Sequence, residues 1–306
     1  MLGLAFGVVV FPISIWSQEE TISVRSDLVV VPVTVLNRDG RNVTNLSKRD
    51  FKLFEDGTEQ EIEFFETVDR PITVLILLDR SGSMSSRLKD LADAANSFVE
   101  QLRPDDQFIA ATFADNVHVI VKKTTIREFR KVVDIRRRFG DHTTMVYEAV
   151  DYGIKKLKKV GGRKAIILFT DGVSGETPFV SAAKTLRDAV EQEATIYTIR
   201  FDTSGRFSGL SEKKYQNTLE LYKNAEEYMR RLSEITGGRS FRIEDLMDLE
   251  KTFSEVAAEL SRQYTLGYYP NHAGIDGERR KIKVSVNIPN AAVRSRTEVL
   301  YRKAKN

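Results

Sequence analysis

Ile72-Thr73-Val74-Leu75-Ile76-Leu77-Leu78 carries six aliphatic side chains in seven positions and stops abruptly at Asp79-Arg80-Ser81-Gly82-Ser83. A strand with one wet face alternates apolar and polar residues. An unbroken aliphatic run predicts a strand buried on both faces, as at the centre of a parallel sheet covered by helices. The residues after it keep that promise. Leu88, Leu91, Ala95, Phe98 and Leu102 recur at three and four residues, which predicts a helix. Residues 108–113 and 117–121 predict two strands around Asp115-Asn116. A helix carrying Val146, Ala149, Val150, Ile154 and Leu157 precedes a strand over 165–170. A helix with Val180, Ala183, Leu186 and Val190 precedes a strand over 195–199. Residues 203–218 are polar and Gly/Ser-containing and read as a mobile insertion. A helix with Tyr222, Ala225, Met229 and Leu232 then ends at the Gly237-Gly238 cap before a short strand. A last helix holds Leu246, Leu249, Phe253, Val256 and Leu260. Strand and helix alternate over residues 70–262, which predicts an α/β fold with a doubly wound, mostly parallel sheet.

The flanks read differently. Residues 28–36 are a β-branched run closed by the turn Asn37-Arg38-Asp39-Gly40, and Pro32 within it points to an edge or a bulge. Residues 51–55 alternate into a second Asp-Gly turn, and a strand is expected over 61–65. Residues 264–270, 281–286 and 297–301 are β-like again, with Tyr268 and Tyr269 as packing residues. Neither flank alone holds enough strand to stand as a sheet. Residues 19–69 and 263–306 are therefore expected to pack together as one small β module, with the α/β domain inserted between them.

Residues 2–16 are almost wholly apolar, and the sequence turns polar at Ser17-Gln18-Glu19-Glu20. That run is shorter than the about 20 residues a membrane span needs and fits the core of a secretory signal, although no Lys or Arg precedes it. Residues 1–18 are read as a leader. Export to the periplasm or cell exterior is expected, with no stable membrane span after its removal. The 47 basic and 44 acidic residues nearly cancel. Short basic runs such as Arg136-Arg137-Arg138 read as solvated surface, and no nucleic-acid partner is expected. The chain has no cysteine, which excludes thiol catalysis, zinc-thiolate sites and disulfides.

The chemistry concentrates where predicted strands end. Asp79, Ser81 and Ser83 fall on the loop after the first buried strand, and Asp171-Gly172 follows the strand over 165–170. In open α/β sheets this edge is where ligands bind. If the two strands are neighbours, Asp79 and Asp171 converge. Thr144, opening a helix, supplies another hydroxyl from a separate loop. Hard oxygen donors without His or Cys suit Mg²⁺, Mn²⁺ or Ca²⁺ over zinc or copper. Hydroxyl ligands leave much of the ion's charge uncancelled, so that it can draw in an acidic group from outside. The plainer reading makes Ser83 or Ser85 an N-cap of the next helix. Asp115 and Glu176 read as rim residues and His142 as a surface histidine.

These residues resemble the metal-ion-dependent adhesion site of von Willebrand factor A domains. The likeness lies in Asp79, Ser81 and Ser83 as Asp-x-Ser-x-Ser, in Thr144 within Thr144-Met145-Val146-Tyr147-Glu148-Ala149, and in Asp171 within Phe169-Thr170-Asp171-Gly172. It covers roughly residues 70–262. The flanks (residues 28–36, Asp50-Phe51, Phe54-Glu55-Asp56-Gly57 and 264–270) look like bacterial exported "VWFA-related domain" proteins. The resemblance implies direct ligation by the serines, with the threonine and aspartates bound directly or through water. It also implies a protein partner presenting an acidic side chain, and no catalysis. Many relatives have Gly-Gly-Thr where this chain has His142-Thr143-Thr144; Thr143 is the alternative ligand, and the spacing to Tyr147 favours Thr144. Two other functions stay open: a structural module of an envelope assembly with a stabilising metal, and a metal-dependent hydrolase with Asp141 or His142 as base.

Overall fold

The structure is a computed structural model that describes residues 28–67, 70–135, 143–172, 174, 180–202, 211–245 and 247–301. The leader read over 1–18, Asp141, His142, Glu176, Leu246 and residues 203–210 of the expected insertion lie outside them.

A six-stranded sheet forms the centre, built from β5 (Ile72–Asp79), β6 (Gln107–Phe113), β7 (Val117–Thr125), β8 (Arg163–Thr170), β9 (Thr195–Phe201) and β10 (Ser240–Ile243). Its order is β10-β9-β8-β5-β6-β7, all parallel except the edge strand β7. Every residue of β5 is buried. Ile72, Val74, Ile76 and Leu78 face one core with α1 (Leu88–Glu100) and α5 (Met247–Leu260). Leu75 and Leu77 face the other with α2 (Val146–Leu157), α3 (Ala182–Glu191) and α4 (Glu212–Thr236). Each fully buried Leu or Ile is worth roughly 1.5–3 kcal/mol. A strand that must satisfy two cores therefore has little room for polar residues, and the one within this run, Thr73, donates its hydroxyl to Gln107 at 3.3 Å.

Two helices depart from the expected pattern. In α3 the buried face is Thr185, Ala189 and Val190, while Ala183 is exposed and Val180 precedes the helix. Thr185 tolerates burial because its hydroxyl meets the Tyr228 hydroxyl at 2.8 Å. Polarity at that position disguised the face. The second departure is α4, which begins at Glu212, so residues 212–218 are helical rather than part of an insertion. Residues 213–217 are exposed, which accounts for their polarity, and the segment contains good helix formers. The helix ends at Gly237, which takes φ +81°. Gly238 lies so close to β9 that a Cβ would sit 2.0 Å from the Ile196 carbonyl oxygen.

The flanks interleave as two antiparallel sheets. One has the order β13-β1-β11-β4, joining β1 (Val29–Leu36) and β4 (Phe64–Glu66) to β11 (Tyr264–Tyr268) and β13 (Ala292–Ser295). The other has the order β14-β12-β2-β3, joining β2 (Phe51–Glu55) and β3 (Thr58–Gln60) to β12 (Arg279–Val286) and β14 (Glu298–Leu300). The strand expected over 61–65 is thus split: the chain leaves one sheet after Gln60 and enters the other at Phe64. Pro32 is tolerated because β13 pairs with β1 only from Val33 onward, leaving one side open at the proline. Tyr268 is buried and donates to Glu55 at 2.9 Å, whereas Tyr269 is 52% exposed and does not pack as expected. Tyr269 lies just past the end of β11.

Two buried charges tie this β module to the central sheet. Glu259 at the end of α5 accepts from Tyr197 at 2.8 Å, Arg294 at 3.0 Å and Thr34 at 3.4 Å. Arg296 is buried, and burial pulls its pKa below the usual arginine value. It donates to the carbonyls of Glu298 at 3.0 Å and Val30 at 3.2 Å, and to that of Val190 on α3. Arg296→Leu removes these donors and leaves carbonyls unsatisfied at 1–3 kcal/mol each. We expect urea unfolding to show a loss of about 3 kcal/mol or more. A loss below about 1 kcal/mol contradicts this role for Arg296.

Candidate metal centre

The parallel register pairs Leu78 with Phe169, so β5 and β8 end side by side and deliver Asp79 and then Asp171 to the same rim. Asp79 is fully buried. Its Oδ1 accepts from the Ser81 amide at 2.8 Å, and its Oδ2 accepts from the Thr170 hydroxyl at 2.6 Å. Burial pushes the Asp79 carboxyl up to about 7, and the negative charge of Asp171 adds to the rise; hydrogen bonds from Thr170 and Ser81 oppose it. Asp171 is buried as well. Like charges held close together in a buried site repel, which disfavours ionising both. Two buried carboxylates sharing one rim therefore call for a proton or a cation.

The loop after β5 turns back tightly. Ser81 is buried, and its Oγ lies 3.1 Å from the Oγ of half-buried Ser83. Ser81 precedes the short 3-10 segment Gly82–Arg87, where its carbonyl accepts from the Met84 amide at 3.0 Å but its side chain makes no cap, and α1 starts from Arg87 with no side-chain cap. Neither Ser83 nor Ser85 caps α1, so the plainer reading of these serines does not hold.

Thr144 reaches the rim by another route. The Arg80 amide bonds the Phe113 carbonyl at 2.9 Å, and the Met145 amide bonds the neighbouring Ala114 carbonyl at 3.1 Å. Ser174, just beyond Asp171, donates to the Thr144 carbonyl at 3.2 Å and accepts from the Val146 amide at 3.1 Å. Among the described residues no hydrogen bond joins the Thr144 hydroxyl to the other four side chains. Thr143, the alternative, gives both its amide (2.8 Å) and its hydroxyl to Asp115. Asp115 thus serves the rim by anchoring the loop before α2.

Thr170 and Ser174 escaped the sequence reading. Thr170 is the residue before Asp171 and orients Asp79, and its Oγ1 also accepts from the Gly172 amide at 2.9 Å. Its signal was available in Phe169-Thr170-Asp171-Gly172. Ser174 had none, because its bonds cross between loops. Among the described residues no three His, Cys, Asp or Glu side chains gather as a metal cluster. The donor set here is two carboxylates plus hydroxyls, so a cation at this rim rests on neutral oxygens for the remainder.

The raised Asp79 carboxyl has a consequence for metal-free protein. The folded state holds its proton up to about pH 7, whereas an unfolded Asp releases it near pH 3.9. Ionisation therefore costs native stability as pH rises through that window, and the cost is full above it. Asp79→Asn removes this titration. In chelator, the melting temperature of the variant relative to wild type should climb between pH 5 and pH 8. A difference that stays constant with pH contradicts the assignment.

The family profile described as "VWA: von Willebrand factor type A domain" matches residues 73–255. No curated protein matches the chain. Among solved structures, the chain is similar to von Willebrand factor type A from Catenulispora acidiphila, at 12% identity and TM-score 0.45, covering 91% of this chain and 74% of that one. It is similar to the ArnB paralog VWA2 from Sulfolobus acidocaldarius, at 14% identity and TM-score 0.45, with 89% and 75% covered. It is also similar to the conserved hypothetical protein BatB from Bacteroides thetaiotaomicron, at 17% identity and TM-score 0.43, with 62% and 98% covered. The profile match takes in more than half of the sequence, and the chain belongs to the von Willebrand factor type A domain family.

Proposed function

We propose that this protein is a metal-dependent protein-binding module. In this reading Asp79, Ser81, Ser83, Thr144 and Asp171 hold a divalent cation, Mg²⁺ or alternatively Mn²⁺ or Ca²⁺, that captures an acidic side chain of a partner protein. Domains of this family are commonly interaction modules. The observation that carries the reading is the burial of Asp79 and Asp171 on one rim, where the charge of Asp171 opposes ionisation of Asp79.

The surrounding oxygens fit such an ion. Adjacent ligands of an octahedral Mg²⁺ at about 2.1 Å lie about 3 Å apart, and the Ser81 and Ser83 hydroxyl oxygens are separated by 3.1 Å. The carboxylates lie deepest, whereas Ser83 and Thr144 are half-buried and Gly82 is exposed. An outside carboxylate therefore approaches from the hydroxyl side, where neutral ligands leave the positive charge least cancelled. When bound, the ion supplies a positive charge with an open position for that carboxylate. The residues need only hold it, so we assign no base, nucleophile or turnover to this rim. We further propose that residues 70–262 present the site, that the flanks (19–69 and 263–306) act as the β module beneath it, and that the protein works outside the cytoplasm. No helix among the described residues is long and apolar enough to cross a membrane.

Titration calorimetry tests the metal directly. Wild type should bind Mg²⁺ or Mn²⁺, and Asp79→Ala or Asp171→Ala should lose that binding while keeping the circular dichroism of the native fold. Ser83→Ala should weaken it by roughly tenfold, the effect of one ligand. Equal metal affinity in wild type and both aspartate variants rejects the site.

A further inference from the structure

The serine limb and the threonine limb of the rim hang from one turn. β6 ends at Phe113 and β7 begins at Val117. Where the chain leaves β6, the Phe113 carbonyl accepts from the Arg80 amide at 2.9 Å and the Ala114 carbonyl accepts from the Met145 amide at 3.1 Å. Arg80 immediately precedes Ser81, and Met145 immediately follows Thr144. The two loops are thus pinned to consecutive carbonyls of residues whose Cα atoms stand about 3.8 Å apart across a trans peptide. Phe113 and Ala114 are fully buried, which sets that peptide unit in packed surroundings.

Asp115 completes the grip. Its Oδ1 accepts from the Thr143 amide at 2.8 Å and from the Thr143 hydroxyl as well. Thr143 is exposed, whereas Thr144 is half-buried. The residues on either side of Thr144 are therefore both tied to the turn, one through a side chain and one through the backbone. Ser174 holds the Thr144 carbonyl itself at 3.2 Å.

A site pinned in this way resists expansion. An octahedral Mg²⁺ site has its oxygens at about 2.0–2.1 Å from the ion and about 3 Å from one another, whereas Ca²⁺ needs about 2.3–2.6 Å and wider spacing. The Ser81 and Ser83 hydroxyl oxygens, 3.1 Å apart, already have the smaller spacing. Admitting Ca²⁺ requires the threonine limb to draw away from the serine limb, which breaks its bonds to the turn.

We propose that the β6–β7 turn, through Asp115, is the gauge of the metal centre: it holds Thr144 at a fixed span from the serines and so selects a small octahedral ion over Ca²⁺. This rests on the metal reading above. Asp115 is a positioning residue that acts through Thr143. The oxygens of the rim would serve either ion, so the choice lies in how firmly they are held. Groups that orient metal ligands typically change affinity by about 10- to 100-fold.

Titration calorimetry of the full chain with Mg²⁺ and, separately, with Ca²⁺ tests the gauge. Wild type should bind Mg²⁺ about tenfold more tightly than Ca²⁺, or better. Asp115→Ala should weaken Mg²⁺ binding by about tenfold and leave Ca²⁺ binding within about threefold, because a loosened site yields to the larger ion. Asp115→Asn keeps an oxygen that can accept from Thr143, and its Mg²⁺-to-Ca²⁺ ratio should stay within about threefold of wild type. Amide exchange in chelator adds a metal-free readout: the Met145 amide should exchange faster in Asp115→Ala than in wild type. Equal losses for both ions mean that Asp115 only supports the fold, and they overturn the gauge. So does an unchanged ratio, an unchanged Met145 exchange rate, or an Asp115→Asn variant that behaves like Asp115→Ala. If wild type binds Mg²⁺ no more tightly than Ca²⁺, the gauge fails and the metal site stands. If wild type binds neither ion, the metal reading fails and this inference fails with it.

Discussion

Two buried carboxylates on neighbouring strand ends are the constraint from which the rest of this structure follows. The unbroken aliphatic run of β5 forces it to the sheet centre between two cores, and parallel pairing with β8 brings Asp79 and Asp171 to one edge. The fold thereby places repulsion at its own carboxyl rim. Thr170 and the Ser81 amide offset part of it with hydrogen bonds, yet the Asp79 carboxyl still stands at about 7. Such a pair weakens the metal-free protein and is a natural seat for a cation, so the cost to stability and the proposed function have one origin.

The remaining architecture holds that rim in shape. The described parts of the loops after β5, before α2 and after β8 meet through backbone bonds and through Ser174, Asp115 and Thr143. Glu259 joins the β module to the sheet by accepting from Arg294 and from Tyr197 of β9, and Arg296 joins it to α3 through the Val190 carbonyl. Because both flanks contribute strands to both of its sheets, the two ends of the chain are needed together.

Much of this was legible in the residues. A strand buried on both faces shows itself as β5 does, and helices with one dry face show themselves by spacing, as in α1 and α2. The reading failed where burial and polarity part company. Thr185 lies on a buried face because Tyr228 answers its hydroxyl, and residues 213–217 are polar yet helical because their side chains are exposed. Residues 61–65 looked like one strand because a change of sheet between Gln60 and Phe64 leaves no mark in alternation over so few residues. At the rim, the oxygen donors could be picked out from strand ends and the motif around them. Their supports could not, since Ser174 and Asp115 act through contacts between loops far apart in sequence.

Crystals grown with Mn²⁺ and measured at a wavelength where manganese scatters anomalously would show whether the rim cages an ion. One strong peak is expected roughly 2.1 Å from the Ser81 and Ser83 hydroxyl oxygens, on the side facing Asp79 and Asp171. A rim without a peak at saturating Mn²⁺, or a peak held only by other residues, contradicts the metal site.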